Sequence, residues 1–268
     1  MNIKGARIIL TGATGGIGQA LARELISHGA RLGLVGRQTE KLAQLVTELQ
    51  EAGGEVIAIT ADLTESADQN RVITQMREHF NGTDILINNA GMSAFCNFSQ
   101  LDPEIEERIF RTNVLAPMRL TRTILPEMLR RGSGRIVNIG STFGSIAFAC
   151  FTSYSASKFA LRGFSEGLRR ELADSGIGVT YVAPRAVNTE LNTSAVRRMA
   201  DRVKMNMDEP DLVAKQIVKA IIKESKDVYL GFPESLFVRL NAILPRLVDG
   251  ALQSQNRIMQ TFTQEKQP

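Results

Sequence analysis

Tyr154 and Lys158 lie four residues apart in a segment with helical periodicity, so both side chains are expected on one face of a helix. A phenol with an ordinary pKa near 10 is a weak acid at neutral pH. An ammonium group ~4 Å away, at an effective dielectric constant of ~20, favours the phenolate by about 4 kcal/mol, which equals about three pKa units. The pair therefore predicts a general acid–base site, although the same spacing also arises by chance on many helices.

Two further polar residues are candidates for the same site. Ser141 follows the predicted strand 135–139, where its hydroxyl can hydrogen-bond a substrate oxygen beside the phenol. Asn113 lies four residues before Pro117 inside a long predicted helix. Because proline has no N–H, the Asn113 carbonyl loses its helical partner, and we expect a kink and a carbonyl that binds a water leading to Lys158. A tolerated proline kink beneath a structural asparagine explains these residues equally well.

A glycine-rich turn between a strand and a helix predicts a cofactor site. The segment Thr11–Gly18, with the sequence TGATGGIG, follows strand 7–10 and opens helix 19–28. Its glycines allow a sharp turn and a close approach to a ligand, while the free N–H groups of the helix start favour an anion such as a dinucleotide pyrophosphate. The loop residues expected to contact the cofactor are Gly12, Thr14, Gly15, Gly16, Ile17 and Gly18. A glycine turn without a ligand is the alternative.

The residue after the second predicted strand indicates which dinucleotide binds. Sites that prefer NAD carry a carboxylate there to hold the ribose 2′-hydroxyl. This chain has Arg37 instead, and a guanidinium suits a 2′-phosphate, so the sequence predicts NADP(H). Alternatively, Arg37 is a solvated residue paired with Glu40. Asp62 and Leu63 follow the third strand and are expected at the adenine edge, although an aspartate at this place is also typical of a turn or a helix cap.

Strands and helices alternate along the chain up to Gly231. The predicted strands are 7–10, 31–35, 55–60, 85–87, 135–139, 179–183 and 228–230, and the predicted helices are about 19–28, 39–52, 66–80, 102–131, 153–173 and 211–222. Such alternation predicts an α/β fold, a single-domain Rossmann-like doubly wound parallel sheet with helices on both faces. Ligands of such sheets bind at the carboxyl ends of the strands.

Together these motifs resemble the short-chain dehydrogenase/reductase family over about residues 5–231. The matching elements are Thr11-Gly12-x-x-x-Gly16-x-Gly18, Asp62, Asn88-Asn89-Ala90-Gly91, Asn113, Ser141, Tyr154-x-x-x-Lys158 and Thr189. The resemblance implies a catalytic tetrad of Asn113, Ser141, Tyr154 and Lys158, with Lys158 also bonding the nicotinamide ribose.

The resemblance also implies that Asn89, Ala90 and Gly91 line the cofactor, and that Val187 and Thr189 meet its nicotinamide amide and phosphates. Members of the family usually have Pro-Gly after the sixth strand, whereas this chain has Pro184-Arg185. We therefore expect Arg185 near the nicotinamide end, where it steers an anionic substrate or contacts a cofactor phosphate. An outward loop side chain is the alternative.

The expected activity is hydride transfer between NADP(H) and an apolar carbonyl or alcohol, such as a ketone, an aldehyde or a 3-oxoacyl compound. Apolar residues are expected near the tetrad: Met92, Phe95, Phe143, Phe148 and Phe151, with segment 188–207 interpreted as a mobile cover. These residues suit an apolar substrate, and they also suit an ordinary core. The alternative function is an NADP-binding sensor or scaffold with vestigial activity.

Composition limits the other classes of function. The chain has 268 residues, 43% of them hydrophobic, and a net charge of +4. Its basic residues are scattered, so no nucleic-acid partner is expected. The absence of a signal pattern or a long apolar run predicts a cytoplasmic protein without a membrane span. A homodimer or homotetramer is also expected. Cys96 and Cys150 lack metal-ligand spacing, so buried thiols and no metal are expected.

Residues 1–231 are expected to form the catalytic domain and residues 232–268 a helical extension. Residues at helical spacing in the extension predict one continuous apolar stripe: Leu236, Phe237, Leu240, Ile243, Leu244, Leu247, Val248 and Ala251. Pro245 should bend or divide the segment. We expect the stripe to dock on protein, either as a wall of the substrate pocket or between two subunits, with peripheral membrane attachment as the alternative.

Overall fold

Seven strands alternate with helices along residues 1–263, the part of the chain that the computed structural model describes. The strands are β1 (Arg7–Thr11), β2 (Arg31–Gly36), β3 (Glu55–Thr60), β4 (Ile85–Asn88), β5 (Gly134–Ile139), β6 (Ile177–Ala183) and β7 (Asp227–Tyr229). They form one sheet in the order β3-β2-β1-β4-β5-β6-β7, and all neighbours are parallel. The predicted α/β fold with a parallel sheet is confirmed.

Helices cover both faces of this sheet. They are α1 (Gly16–Ser27), α2 (Thr39–Glu51), α3 (Ser66–Phe80), α4 (Pro103–Phe110), α5 (Ala116–Arg131), α6 (Thr152–Glu171), α7 (Ser194–Arg202), α8 (Pro210–Ile222), α9 (Glu234–Ile243) and α10 (Pro245–Phe262). Short 3-10 turns occur at Phe98–Gln100 and Thr142–Gly144.

The two faces of β1 explain why the strands are apolar on both sides. Ile8 and Leu10 belong to the same core as Leu21 of α1, together with apolar residues of α2 and α8. Ile9 faces the other way and belongs to a second core with Leu120 of α5, which also includes residues of α3 and α6. Because side chains alternate across a strand, one continuous apolar run serves both cores, and each fully buried side chain contributes about 1.5–3 kcal/mol.

The strand order creates a crevice beside β1. The chain first places β2 on one side of β1 and later places β4 on the other side. Loops that leave the carboxyl ends of β1 and β4 therefore diverge towards opposite faces of the sheet. In open α/β sheets this is where ligands bind.

The long helix predicted over residues 102–131 is divided. α4 and α5 are joined by a π-helical turn, Arg111–Leu115, and Asn113 lies fully buried in that turn. Pro117, in the first turn of α5, has no N–H for the carbonyl four residues before it, so the regular hydrogen-bond ladder is interrupted here. The predicted distortion takes the form of a π-helical turn, a feature that is common at functional sites.

The carboxyl-terminal segment folds as two helices that meet at Leu244 and Pro245. α9 buries Val238, and α10 buries Val248 and Met259. The predicted apolar stripe is not buried within the chain, because five of its members are 45–76% exposed: Leu236, Phe237, Ile243, Leu244 and Leu247. Its expected place between two subunits stays a prediction. The break at Pro245 gives each helix its own buried face, so helical spacing does not continue across it.

Residues 264–268 of the predicted extension lie outside the described part of the chain. Between residues 1 and 263, no helix combines the length and the apolar character needed to cross a bilayer.

Candidate active site

A cleft of about 440 Å³ opens at the carboxyl ends of β1 to β5. The predicted site residues that line it are Gly12, Thr14, Gly15, Gly16, Ile17, Gly18, Arg37, Asp62, Leu63, Asn89, Ala90, Gly91, Tyr154, Lys158 and Thr189. Asn113, Ser141 and Val187 lie outside this lining. Sequence reasoning missed Thr112, which also lines the cleft, because nothing in its local pattern distinguishes it from other helix residues. Glu190 and Leu191 line the cleft too, and they belong to the segment 188–207 that was expected as a cover.

Glycines of the loop after β1 stand where a larger residue would collide. A Cβ on Gly12, whose φ is +64°, would lie 2.7 Å from the Cα of Ala90. A Cβ on Gly18 would lie 2.2 Å from the carbonyl oxygen of Gly12, and one on Gly16 would lie 2.7 Å from Cγ2 of Thr189. The glycines therefore let this loop close against the loops that follow β4 and β6.

The amino end of α1 fits a phosphate group. Gly15, Gly16 and Ile17 line the cleft, and Gly15, which precedes the helix, has no side chain to cap it. The first N–H groups of the helix are thus available to a ligand at the positive end of the helix dipole. This arrangement fits the pyrophosphate of a dinucleotide.

Thr11 and Asn89 join the loops after β1 and β4. The Thr11 hydroxyl oxygen accepts hydrogen bonds from the N–H groups of Asn89 and Ala90, at 2.9 and 3.0 Å. The Asn89 amide donates to the carbonyls of Thr11 and Gly12, at 3.0 and 3.1 Å. Sequence reasoning placed Thr11 in a motif but assigned it no role. The only feature of the sequence that could have indicated this role is a hydroxyl-bearing residue directly before a glycine.

Charge at the adenosine end of the cleft comes from Arg37 and Asp62, which both line it. Burial tends to raise the pKa of Asp62, but hydrogen bonds from the N–H and hydroxyl of Thr64, at 2.9 and 2.8 Å, and the charge of Arg37 lower it overall. Asp62 therefore forms a turn with Thr64 and also lines the cleft, so its expected role at the adenine edge stays a prediction. Arg37 is exposed, as its alternative expects, but within residues 1–263 it forms no ion pair with Glu40.

Tyr154 borders the cleft with its phenol deep in the protein. Its ring makes edge contacts with Phe143 and Phe151, at centroid distances of 6.1 and 6.4 Å. Although part of the side chain reaches the cleft, burial of the phenol raises the pKa of Tyr154 to about 12, and a hydrogen bond with the Ser141 side chain opposes this rise. Tyr154 is therefore a proton donor throughout the neutral range.

Lys158 is buried one helical turn after Tyr154. Its Nζ donates to the carbonyl of Ile139 at 2.9 Å and lies 5.8 Å from the centre of the Tyr154 ring. Burial lowers the pKa of Lys158 to about 8. The predicted shift of the Tyr154 pKa towards neutrality is wrong for this arrangement of the chain, because loss of hydration outweighs the attraction of the ammonium group at this distance.

Asn113 braces the site from the π-helical turn. Its amide donates to the Met92 carbonyl and to Ser157 Oγ, at 2.8 and 2.9 Å, and its Oδ1 accepts from the Met92 N–H at 2.8 Å. Ser157 Oγ in turn donates to the Tyr154 carbonyl at 2.6 Å. The Asn113 side chain thus has a structural role. The expected water between its backbone carbonyl and Lys158 stays a prediction. Sequence reasoning missed Ser157, since a serine inside a helix carries no signal of its own.

Arg185 is held by two carboxylates and does not line the cleft. It donates to Asp208 through Nε and Nη2, at 3.0 and 2.7 Å, and to Glu234 through Nη1, at 3.0 Å. The predicted contact with a substrate or a cofactor phosphate is therefore wrong, because the guanidinium is already engaged. Asp208 also bridges to the backbone of Val187, so Arg185 links the start of α9 to the loop after β6.

An apolar cluster, here called the aromatic cluster, adjoins Tyr154. It consists of Phe95, Cys150, Phe151, Ala195, Val196, Met199 and Met259, with Phe143, Phe148, Ala149, Tyr154, Val203, Met205 and Phe262 packed against it. Segment 188–207 contributes through α7, and the extension contributes through α10. Burial raises the pKa of the free thiols Cys96 and Cys150, so neither is an activated nucleophile.

Comparisons with known proteins agree on one relationship. A protein-family model described as "short chain dehydrogenase" matches residues 6–200. The dehydrogenase/reductase SDR family member 7B of Bos taurus is 35% identical over 260 residues, which cover 91% of this chain and 79% of that protein. The ketoacyl reductase HetN of Nostoc sp. is 36% identical over 229 residues, which cover 85% and 79%.

Solved structures of the same kind superimpose closely on this chain. A short chain dehydrogenase/reductase from Burkholderia phymatum in complex with NAD gives a TM-score of 0.83 at 26% identity and covers 94% of this chain and 96% of that one. A short-chain dehydrogenase from Sphingobium yanoikuyae in complex with NADPH gives a TM-score of 0.77 at 31% identity and covers 98% of each chain.

Proposed function

The chain belongs to the short-chain dehydrogenase/reductase family, and we propose that it is an NADP(H)-dependent oxidoreductase that interconverts an apolar carbonyl compound and its alcohol. The observation that carries the proposal is the position of Tyr154. This residue hydrogen-bonds Ser141 and lies with Lys158 in the wall of the same cleft that contains the glycine loop and Arg37. Under this proposal residues 1–231 form the catalytic domain, and residues 232–268 extend it.

The residues of the cleft fit a nicotinamide dinucleotide. The amino end of α1 would hold the pyrophosphate, Arg37 the 2′-phosphate and Lys158 the nicotinamide ribose. When bound, the dinucleotide supplies the hydride that reduces a carbonyl carbon. Similar structures contain NAD in one case and NADPH in another, so the preference for NADP(H) rests on Arg37.

Side chains of the protein supply the proton in this reaction. Tyr154, protonated up to a pKa of about 12, donates a proton to the carbonyl oxygen as negative charge develops there. The Ser141 hydroxyl donates a hydrogen bond to the same oxygen and holds it near the phenol. Below its pKa of about 8, Lys158 carries the positive charge that stabilises the resulting phenolate. Alcohol oxidation uses the same groups in reverse.

The aromatic cluster supports an apolar substrate. The rings of Phe143 and Phe148 stack at 4.5 Å next to Tyr154, and pockets of this kind bind apolar groups around a few polar ones. The relative HetN is described as a ketoacyl reductase, which favours ketones among the possible carbonyl compounds.

The proposal is tested by following NADPH oxidation with simple ketones, aldehydes and 3-oxoacyl thioesters. Tyr154→Phe should lower kcat about 10²- to 10⁴-fold, the usual contribution of acid–base catalysis, and leave the Kd of NADPH nearly unchanged. Tyr229→Phe, which removes a hydroxyl from a residue outside the lining of the cleft, is the matched control. Tight NADPH binding without turnover of any carbonyl would instead favour the sensor or scaffold.

Cofactor preference is tested separately through Arg37. NADPH should bind at least about tenfold tighter than NADH, because one charge-assisted contact contributes about 1.4 kcal/mol. Arg37→Ala should abolish this ratio, whereas Arg23→Ala, which removes an arginine paired with Glu48 outside the cleft, should preserve it. Equal dissociation constants in the wild-type protein would contradict the assignment.

A further inference from the structure

Tyr181 is a large polar side chain with no exposed surface. It lies on β6, paired in the sheet with Asn138 of β5. Its hydroxyl donates a hydrogen bond of 3.3 Å to the carbonyl oxygen of Ser141, in the loop that follows β5. Tyr181 therefore reaches the backbone of a residue that the proposed reaction uses.

The loop around Ser141 is shaped to receive the Tyr181 ring. A Cβ on Gly140 would lie 2.2 Å from the Tyr181 hydroxyl oxygen, and a Cβ on Gly144 would lie 2.6 Å from it. Neither glycine has a positive φ, so their lack of a side chain serves close packing and not an unusual backbone conformation. Gly140, Gly144 and Tyr181 thus fit together as one unit.

The peptide group of Ser141 is held from two sides. Its carbonyl oxygen accepts from the Gly144 N–H at 2.9 Å as well as from Tyr181. The Ser141 side-chain oxygen accepts from the Phe143 N–H at 3.1 Å, and the same hydroxyl hydrogen-bonds Tyr154. Fixing the backbone of Ser141 therefore fixes the direction from which its hydroxyl meets Tyr154.

We propose that Tyr181 is a positioning residue, which acts through the Ser141 carbonyl to orient the Ser141 hydroxyl towards Tyr154. The effect of Tyr181 on catalysis rests on the proposed function, whereas the hydrogen bond from Tyr181 to the Ser141 carbonyl does not. A ring needed only for packing would require no hydroxyl, since phenylalanine fills the same space, and a buried hydroxyl is unfavourable unless it has a partner.

The chain has three tyrosines and no tryptophan, which suits NMR of protein labelled with 13Cζ-tyrosine. The Tyr→Phe variants assign the three resonances. Tyr181→Phe should shift the Tyr154 resonance in the same direction as Ser141→Ala, because both weaken the same hydrogen bond, and it should add no shift in a Ser141→Ala background. Tyr229→Phe is the matched control, because its ring lies 6.3 Å from Tyr181 while its hydroxyl contacts Ser145.

Kinetics provide a second readout. With a carbonyl substrate, Tyr181→Phe should slow single-turnover hydride transfer about 2- to 12-fold, the range expected for one net hydrogen bond. The Kd of NADPH should stay nearly unchanged, as should the rate of Tyr229→Phe. In the Ser141→Ala background, Tyr181→Phe should cause no further loss, because residues that act through one group are not additive.

An unmoved Tyr154 resonance in folded Tyr181→Phe protein would overturn the inference. A shift or a rate loss of equal size with and without the Ser141 hydroxyl would also overturn it, because Tyr181 would then act by another route. If the wild-type protein reduces no carbonyl compound, the proposed function fails, and the resonances still decide whether Tyr181 positions Ser141.

Discussion

Burial changes the acid–base properties of Tyr154 and Lys158 in opposite directions, because it disfavours the charged form of each group. It raises the pKa of Tyr154 to about 12 and lowers the pKa of Lys158 to about 8. The phenol therefore keeps its proton at neutral pH, and the cation beside it is close to losing its own. In the proposed reaction, a substrate oxygen that becomes negative draws the proton from the phenol.

Lys158→Met should change how stability depends on pH. The folded-state pKa of Lys158 is lowered from 10.5 to about 8, so between these values the unfolded chain binds more protons and wild-type stability rises with pH. Methionine removes this dependence, so raising the pH from about 8 to about 10 should favour the wild type over the variant by about 2 kcal/mol.

The measurement is the free energy of unfolding in denaturant at several pH values. Lys215→Met, a change at an exposed lysine, is the control and should show no such drift. A difference between the wild type and Lys158→Met that stays constant across this range would contradict the assigned pKa.

Side-chain types and local spacing were enough to predict that Tyr154, Lys158 and Ser141 lie close together. A helical turn brings the first two to one face, and the end of a parallel strand brings the third to the same edge. The pKa of Tyr154 could not be predicted in this way. It depends on how Phe143 and Phe151 pack around the phenol, which is a tertiary arrangement.

Among the elements, strands were the easiest to predict, because apolar runs bounded by turns have few other interpretations. Connections between elements were harder. The hydrogen bonds between Thr11 and Asn89 join residues distant in sequence. The ion pairs of Arg185 likewise join three places in the chain: the loop after β6, the loop before α8, and the start of α9. No periodicity in one segment reveals a partner in another.

Arg185→Ala should weaken both stability and cofactor binding. Its side chain is 17% exposed and that of Asp208 is 9% exposed, so removal of Arg185 leaves a largely buried carboxylate unpaired and should cost about 2 kcal/mol of unfolding free energy. The Kd of NADPH should rise several-fold, because Asp208 also holds the backbone of Val187.

Denaturant unfolding and NADPH fluorescence titration provide the two measurements. Arg185→Lys keeps the charge but not the forked geometry, so it should lie between the wild type and Arg185→Ala in both. Stability and affinity that both remain at wild-type values in Arg185→Ala would show that the link between these elements has no energetic effect.

At the scale of the molecule, the extension packs against the aromatic cluster at one end and is exposed at the other. Met259 of α10 is 1% exposed within the aromatic cluster. On α9 and the start of α10, by contrast, large apolar side chains such as Ile243 and Leu247 are 76% and 60% exposed. The end of α10 is thus the part of the extension that packs into the aromatic cluster, and its role as a wall of the substrate pocket stays a prediction. A homodimer or homotetramer formed through the exposed face stays a prediction.

Met259→Ala tests whether the buried end of the extension affects both stability and the substrate site. Loss of a buried methionine should lower the unfolding free energy by about 2–5 kcal/mol and should change the KM for apolar carbonyl compounds, with little effect on the Kd of NADPH. Leu247→Ala, at the exposed face, should alter stability by no more than about 0.5 kcal/mol. A KM that is unchanged in a clearly destabilised Met259→Ala protein would separate the extension from the substrate site.

The strand order also bears on how the chain folds as it leaves the ribosome. Taken in chain order, β2 lies beside β1, β3 lies beside β2, and β4 lies on the other side of β1. Each of β5, β6 and β7 adds to the strand made just before it. Among these described strands, none is inserted between two that already pair, so the sheet can grow outward during synthesis. The last strand, β7, has three residues, so this edge of the sheet offers few unpaired backbone groups to another chain.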